Sequence, residues 1–259
     1  MDPTGAINRE PGTANREPRP RSVALFGTCL MDMFFPEVGE AMVKLLRRYG
    51  CRVTYPMDQT CCGLPLLNNG YREEAACVAR ANIPLFEDAE AIVVPSGSCG
   101  WMLKKEFPGL FPADAALWAR AEAFAAKVYE FSQFLVEVLK VTEVDSGFHG
   151  TVTYHDSCHL LRGLGVATAP RTLLKMVRRA TLVEMAGSDH CCGFGGSFAV
   201  KFPEVSNAIL GQKLANAQAG GAHVVVANDA GCILHMRGGA ERSAPGLRVM
   251  HLAEVLAAD

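Results

Sequence analysis

Eight of the ten cysteines in this 259-residue chain fall into two sets with matching spacing. In each set a single cysteine precedes an adjacent Cys-Cys-Gly triplet, and one more cysteine follows. The spacers before the two triplets are 31 and 32 residues, and the spacers after the cysteine pairs are 36 and 39. The first set is Cys29, Cys61, Cys62 and Cys99, and the second is Cys158, Cys191, Cys192 and Cys232. Four converging sulfur ligands per set would suit a soft metal centre, either an iron–sulfur cluster or zinc.

The adjacent cysteine pairs favour a cluster over a single zinc ion. Structural zinc sites generally use Cys-x2-Cys, and the sequence contains none. Consecutive side chains of an extended segment point in opposite directions, so both members of a pair reach one ion only through a special turn. Gly63 and Gly193 follow the pairs and can adopt the positive φ of such a turn. We expect Cys51 and Cys77, which lie outside the scheme, to be small buried apolar residues.

Two other kinds of site remain open for the same thiols. One is metal-independent thiol–disulfide exchange by adjacent cysteines, and the other is a zinc-stabilised scaffold. Three histidines and two aspartates lie near the cysteines, and we interpret them as hydrogen-bonding or polar loop residues rather than ligands: His155, His159, His190, Asp156 and Asp189. The sequence contains no P-loop, metalloprotease or serine hydrolase motif. We therefore expect an oxidoreductase subunit that acts only within a complex.

The segments around the cysteines alternate between strand and helix patterns. Strands are predicted over residues 23–27, 51–55, 91–94, 151–154, 181–185 and 223–227, and helices over 38–49, 73–82, 171–179 and 203–219. A long helical stretch over 117–141 is predicted to connect the halves. This order indicates an α/β protein of two pseudo-symmetric, Rossmann-like parallel-sheet halves that arose by internal duplication.

The repeated cysteines follow predicted strands, so we expect two pockets at the carboxyl ends of the strands, one in each half. We place the first module, with its helical connector, at residues 22–148 and the second at 149–259. Residues 1–21 are predicted to be a disordered tail, because they are polar and repeat Asn-Arg-Glu-Pro at 8–11 and 15–18.

Composition excludes several classes of function. The chain has 25 basic and 27 acidic side chains, so no strong field favours nucleic acid or an anionic membrane surface. No apolar run is long enough to span a bilayer, and the N-terminus lacks a signal-peptide core. We expect a cytoplasmic protein, where many cysteines indicate metal ligands or catalytic thiols rather than disulfides.

The motifs resemble the Cys-Cys-Gly cysteine-rich domain family over residues 23–256. That family includes the cysteine-rich subunit of heterodisulfide reductase and the iron–sulfur subunits of glycolate oxidase and anaerobic glycerol-3-phosphate dehydrogenase. The chain resembles the lactate utilization A proteins more closely still. The segments that carry this resemblance are Thr-Cys-Leu-Met-Asp-Met-Phe at 28–34, Thr-Cys-Cys-Gly-Leu-Pro at 60–65, Pro-Ser-Gly-Ser-Cys at 95–99, Ser-Cys-His at 157–159, His-Cys-Cys-Gly-Phe-Gly-Gly at 190–196 and Val-Met-His-Leu-Ala-Glu-Val at 249–255.

The resemblance implies an iron–sulfur electron-transfer subunit of a complex that oxidises L-lactate to pyruvate. Its partners would be components B, an iron–sulfur protein, and C. It also implies one [4Fe-4S] cluster per module, noncubane in heterodisulfide reductase, held by the four cysteines of each set. Glycolate and glycerol 3-phosphate remain alternative substrates, because closely similar subunits serve them.

The chain departs from the family pattern at one position in each module. The full heterodisulfide reductase module ends in Cys-x2-Cys, whereas Ser96 and Asp229 stand three residues before Cys99 and Cys232. Each set therefore lacks a fifth thiolate, which a seryl or aspartyl oxygen could replace.

Overall fold

The computed structural model describes residues 22–259, which form two four-stranded sheets in which all paired strands are parallel. The predicted disordered tail, residues 1–21, lies outside the described residues. The strands of the first sheet are β1 (Ser22–Leu25), β2 (Arg52–Thr54), β3 (Ala91–Val94) and β4 (Val128–Glu130). Those of the second are β5 (His149–Tyr154), β6 (Arg179–Leu182), β7 (Val224–Ala227) and β8 (Arg248–His251). The spatial orders β2-β1-β3-β4 and β6-β5-β7-β8 are equivalent, which confirms the predicted duplication.

Helices connect the strands in both halves. The first half contains α1 (Cys29–Phe34), α2 (Pro36–Arg48), α3 (Leu64–Asn68), α4 (Arg72–Asn82), α5 (Gly97–Trp101), α6 (Ala115–Ala126) and α7 (Phe131–Gln133). The second contains α8 (Ala169–Met176), α9 (Ser197–Lys201), α10 (Pro203–Ala219), α11 (Ala230–Ser243) and α12 (Leu252–Ala257). Wider π-helical turns occupy Met102–Glu106, Phe134–Val138 and His159–Gly163, and 3-10 turns occupy Ile83–Phe86 and Pro108–Leu110. None of the helices within residues 22–259 is long and apolar enough to cross a bilayer.

Alternate residues of the first sheet enter two different apolar cores. Val23 and Leu25 of β1 belong to a core that continues into the second half, whereas Ala24 belongs to a core confined to the first half. All four residues of β3 and of β7 are buried, as expected for central strands that are covered on both faces. The shared core joins the two halves through apolar packing.

The prediction of one long helix over residues 117–141 is wrong. Helix α6 ends at Ala126, and β4 follows and pairs with β3 in the register Ile92↔Val128. The sequence pattern also gives no sign of the equivalent edge strand β8. These strands of three and four residues mix polar with apolar side chains, so neither alternation nor a continuous apolar run marks them, and they form here beside a buried parallel neighbour that supplies hydrogen bonds.

Strands β4 and β8, which each form one edge of a sheet, end in a buried polar residue that contacts the other half. Glu130, at the end of β4, accepts a hydrogen bond from Asn228 Nδ2 at 2.7 Å. His251, at the end of β8, lies 2.8 Å from the backbone oxygen of Pro95 through Nε2. The backbone N–H of Ala253 donates to His251 Nδ1, so Nε2 carries the proton and donates to Pro95.

The segments held in this way carry the last cysteine of each set. Pro95 precedes Cys99 by four residues, and Asn228 precedes Cys232 by four. Each half therefore fixes the terminal cysteine segment of the other half.

Close backbone contact across the interface requires glycine. A Cβ atom at Gly97 would lie 2.6 Å from Leu160 Cβ, and one at Gly163 would lie 2.5 Å from Trp101 Cδ1. The N–H of Gly97 also donates to the carbonyl oxygen of Asn228 at 2.9 Å. The start of α5 consequently packs directly on the second half.

The His251 contact predicts a dependence of stability on acid pH. Burial lowers the pKa of His251 to about 4, whereas an unfolded histidine titrates near 6.5. Between these values the unfolded chain binds the proton more tightly, so this contribution is complete above about pH 6.5 and is lost as the pH falls towards 4. We expect His251→Gln to lower the free energy of unfolding by about 2 kcal/mol at pH 7 and by much less at pH 5.

Urea denaturation of both proteins at the two pH values measures this difference. Other groups titrate equally in both proteins, so the difference between their free energies of unfolding at each pH reports on His251 alone. A destabilisation that is equal at pH 7 and pH 5 would contradict the assignment.

Candidate metal centre

The cysteines of both sets lie at the carboxyl ends of the parallel strands, as predicted. Cys29 begins α1 just after β1, and Cys99 lies in α5 just after β3. In the second half, Cys158 follows β5 and Cys232 lies in α11 after β7. The Cys-Cys-Gly triplets lie in the loops after β2 and β6. The sheet topology thus brings three separate segments together in each half.

Both sets face one common cavity of about 260 Å³. Seven of the eight cysteines line it: Cys29, Cys62, Cys99, Cys158, Cys191, Cys192 and Cys232. The remaining one, Cys61, has its sulfur 3.8 Å from that of Cys29. The sequence predicted a pocket in each half, whereas the cavity is bounded by both halves. The relative placement of the two sheets, which no repeat spacing encodes, produces this difference.

The first set is joined by short sulfur–sulfur contacts. Cys62 Sγ lies 3.3 Å from Cys99 Sγ, and the N–H of Gly63 donates to Cys61 Sγ at 3.4 Å. Gly63 has φ +86°, a value that favours glycine and lets the chain turn so that Cys61 and Cys62 both reach the site. The expected special turn is therefore present.

The thiols of the first set share their protons unequally. Hydrogen bonds from Cys29 and Cys62 lower the pKa of Cys61. The pKa values of Cys29 and Cys62 are raised, first by the hydrogen bond that each makes with Cys61 and then by other causes that include burial. The arrangement thus stabilises a thiolate at Cys61, and the thiolate is the form that binds metals.

In the second set, a histidine nitrogen lies beside the cysteine sulfurs. Cys192, Cys232 and His155 each offer a ligand atom, and these three atoms lie within 4.8 Å of one another. The N–H of Gly193 donates to Cys191 Sγ at 3.3 Å, which repeats the turn of the first half. Burial is the first cause that raises the pKa of Cys158. Soft sulfur and imidazole donors in this arrangement are suited to a metal.

Ser96 and Asp229, the residues in place of a fifth thiolate, bond to each other across the two halves. Ser96 Oγ and the N–H of Ser98 both donate to Asp229 Oδ2 at 2.9 Å. Asp229 Oδ1 accepts from the N–H groups of Gly231 and Cys232, which caps α11. The oxygens considered as replacement ligands are therefore already engaged in joining the halves.

The polar residues near the second set differ in their roles. Asp156 is buried and pairs with Arg171 through two hydrogen bonds of 2.7 Å, which anchors the segment before Cys158. His159 packs its ring against Trp101 with centroids 4.8 Å apart. His190 is mostly exposed. Sequence reasoning could not distinguish these residues, because their partners are distant in the chain.

The two cysteines outside the sets lie elsewhere in the protein. Cys51 is buried in the shared core, as predicted. The same prediction is wrong for Cys77, which is exposed on α4.

Buried polar atoms test whether the site suits a bound group. The hydroxyl of Thr28 and both ring nitrogens of His155 are buried without a hydrogen-bond partner among residues 22–259. Thr28 also lines the cavity beside Cys29. Unsatisfied buried polar groups cost about 1–3 kcal/mol each, so their presence beside the cysteines fits a bound metal group.

Comparison with known proteins gives the class of this chain. Residues 23–104 and 152–237 match the family described as Cysteine-rich domain (CCG), and each match contains one complete set of four cysteines. A crystal structure of a hypothetical protein from Helicobacter pylori has a similar fold, with a TM-score of 0.58 and 9% identity over 92% of this chain and 48% of that chain.

Curated relatives define the family more narrowly. Lactate utilization protein A of Exiguobacterium sp. is 47% identical over 91% of this chain and 96% of its own length. The protein of the same name from Geobacillus kaustophilus is 46% identical over 90% and 98%. This chain therefore belongs to the family of the lactate utilization A proteins.

The Ser96–Asp229 contact predicts that both residues contribute to stability and that Ser96 is not a metal ligand. Asp229→Ala removes an acceptor for the donors of Ser96, Ser98, Gly231 and Cys232 and leaves them unpaired. We expect it to lower the free energy of unfolding by about 3 kcal/mol. Ser96→Ala should lower it by about 1 kcal/mol. Urea denaturation measures both values, and iron is assayed after anaerobic reconstitution with ferrous iron and sulfide. A Ser96→Ala protein that is fully stable but binds less iron than wild type would instead make Ser96 a ligand.

Proposed function

We propose that this chain is an iron–sulfur electron-transfer subunit of a multi-component system that oxidises L-lactate to pyruvate in the cytoplasm. The observation that carries the proposal is the convergence of both cysteine sets on one cavity, which seven of the eight cysteines line. Cys29, Cys61, Cys62 and Cys99 would hold one cluster, and Cys158, Cys191, Cys192 and Cys232 the other. A [4Fe-4S] cluster in each set would supply one-electron oxidation and reduction.

The surroundings of the cysteines support this use. Cys62, Cys99, Cys192 and Cys232 are buried, so two ligand sulfurs of each set would be shielded from solvent. Shielding limits the solvent rearrangement that accompanies electron transfer and tunes the potential of a cluster. The N–H groups of Gly63 and Gly193 donate to Cys61 and Cys191, and such hydrogen bonds also adjust the potential.

The lactate substrate is proposed from the relatives. They share 43–47% identity with this chain and carry the name lactate utilization protein A. We propose components B and C of that system as the partners, since the chain has no motif for hydride or proton abstraction from an organic acid. A glycolate- or glycerol-3-phosphate-oxidising complex is the alternative within the same chemistry.

Thiol–disulfide exchange is the second candidate function. The distance of 3.3 Å between the sulfurs of Cys62 and Cys99 favours it, because only a small movement would bring them to bonding distance. Cys62 and Cys99 would then form the disulfide, giving two electrons and two protons to a disulfide substrate that becomes two thiols. Metal-free protein that is reversibly oxidised at this pair, with no iron after reconstitution, would favour this function.

Iron and acid-labile sulfide in the anaerobically purified, reconstituted protein test the cluster proposal. We expect about eight irons per chain in the wild type, since each set would hold four. Cys192→Ser should lower the iron content by up to half and change the EPR spectrum. Cys77→Ser is the matched control and should match the wild type, because Cys77 is exposed and belongs to neither set. Less than about one iron per chain in the wild type would contradict the proposal.

Electron transfer from lactate tests the partners. The purified chain is mixed without oxygen with components B and C, and its visible spectrum is followed after addition of L-lactate. We expect bleaching that requires both partners and does not occur with glycolate or glycerol 3-phosphate. Reduction by one of the other two acids but not by lactate would assign the chain to the alternative complex.

A further inference from the structure

The buried imidazole of His155 lacks the partners that a structural histidine usually has. Its side chain is inaccessible to solvent, and neither Nδ1 nor Nε2 has a partner within hydrogen-bond distance and angle among residues 22–259, the backbone of Ser188 making only a weaker contact. Nearly all buried polar side-chain atoms in proteins are hydrogen-bonded. A histidine with both nitrogens unsatisfied is therefore expected to have another function at this position.

Three charged side chains act on His155, and all are engaged elsewhere. Asp156 is held by Arg171, and Asp229 accepts hydrogen bonds from Ser96 and from the start of α11. Lys213 donates through Nζ to the carbonyl oxygens of Gly187 and Ser188 at 2.6 and 3.1 Å. The ring of His155 thus lies just after β5 without an ion pair to any of these side chains.

The atoms near enough to share an ion with this ring are sulfurs. The ligand atoms of His155, Cys192 and Cys232 lie within 4.8 Å of one another, and all three residues are buried. Neutral imidazole is a common ligand of iron and zinc. The geometry thus provides a nitrogen donor in addition to the four cysteines of the second set.

The first half has a hydrocarbon side chain at the corresponding position. His155 precedes Cys158 by three residues, and Phe26 precedes Cys29 by three. Phe26 is buried and stacks on Phe86 with ring centroids 5.4 Å apart. The two halves are therefore not chemically equivalent at this position, although their strands and cysteines correspond.

We propose that His155 is a nitrogen ligand of the metal centre in the second half, alongside Cys192 and Cys232, while the first half holds an all-sulfur centre. This inference rests on the proposed function, since it takes the metal centre to be an iron–sulfur cluster. A neutral imidazole adds no negative charge, whereas a fifth thiolate would add one, and lower negative charge favours the reduced form. The two centres therefore differ in ligand type, and a thiolate in place of His155 would make the second centre harder to reduce.

Nitrogen coupling to the cluster tests this assignment. The full chain is produced with 15N-labelled histidine, reconstituted without oxygen with ferrous iron and sulfide, and studied by pulsed EPR before and after reduction with dithionite. We expect a 15N coupling in the wild type that disappears in His155→Cys. Iron content should stay at the wild-type level in that variant, because a thiolate replaces the imidazole, and the reduction potential of the second centre should become more negative.

Three further variants discriminate between histidines and between roles. His159→Gln tests the histidine that lines the cavity, and His149→Gln removes an exposed histidine of β5 as a control. The coupling should persist in both. His155→Phe reproduces the first-half residue and should lose the coupling together with iron from the second set. If His155→Phe does not fold, the comparison of His155→Cys with wild type still decides the question.

The outcomes separate this inference from the proposed function. The assignment of His155 is overturned if iron-loaded wild type shows no 15N coupling. It is also overturned if the coupling survives His155→Cys or is lost in His159→Gln. Each of these results leaves the cluster proposal standing. Wild-type protein that binds neither iron nor sulfide overturns both.

Discussion

The structure depends on an exchange of buried hydrogen bonds between its two halves. Glu130 at the end of β4 accepts a hydrogen bond from Asn228, and His251 at the end of β8 donates one to the carbonyl oxygen of Pro95. Asp229 adds a carboxylate that is bonded to both halves at once. These groups are withdrawn from water, so each is stable only with its partner in place. The terminal cysteine of each set is thus positioned by the opposite half, and the cavity exists only when the halves are joined.

This dependence explains what the sequence could and could not predict. Parallel strands end at one edge of a sheet, so the convergence of the cysteines followed from their positions after predicted strands. The bounds of β3 and α10 agree with the prediction because four consecutive apolar residues and a helical run of 17 residues are strong local signals. Strands β4 and β8 were not predicted because their three or four residues mix polar and apolar side chains and show no local pattern.

The contacts between halves carry no periodic signal at all. Ser96 and Asp229 looked like substituted ligands because only their distance from Cys99 and Cys232 was visible in the sequence. Their separation of 133 residues hides the bond that they make to each other. In the same way His155 could not be told from His159 until burial and the absence of a polar partner among the described residues separated them. Duplication therefore preserved the cysteine framework while the positions beside it diverged.

Two metal centres that face one shared cavity would suit a protein that passes electrons rather than one that binds an organic substrate. A crystal structure of the anaerobically reconstituted protein, with anomalous diffraction recorded on both sides of the iron absorption edge, tests this account most directly. The account predicts iron density beside each set of four cysteines. Thiols without metal density, or metal density whose anomalous signal does not rise on crossing to the high-energy side of the iron edge, as zinc would give, would contradict it.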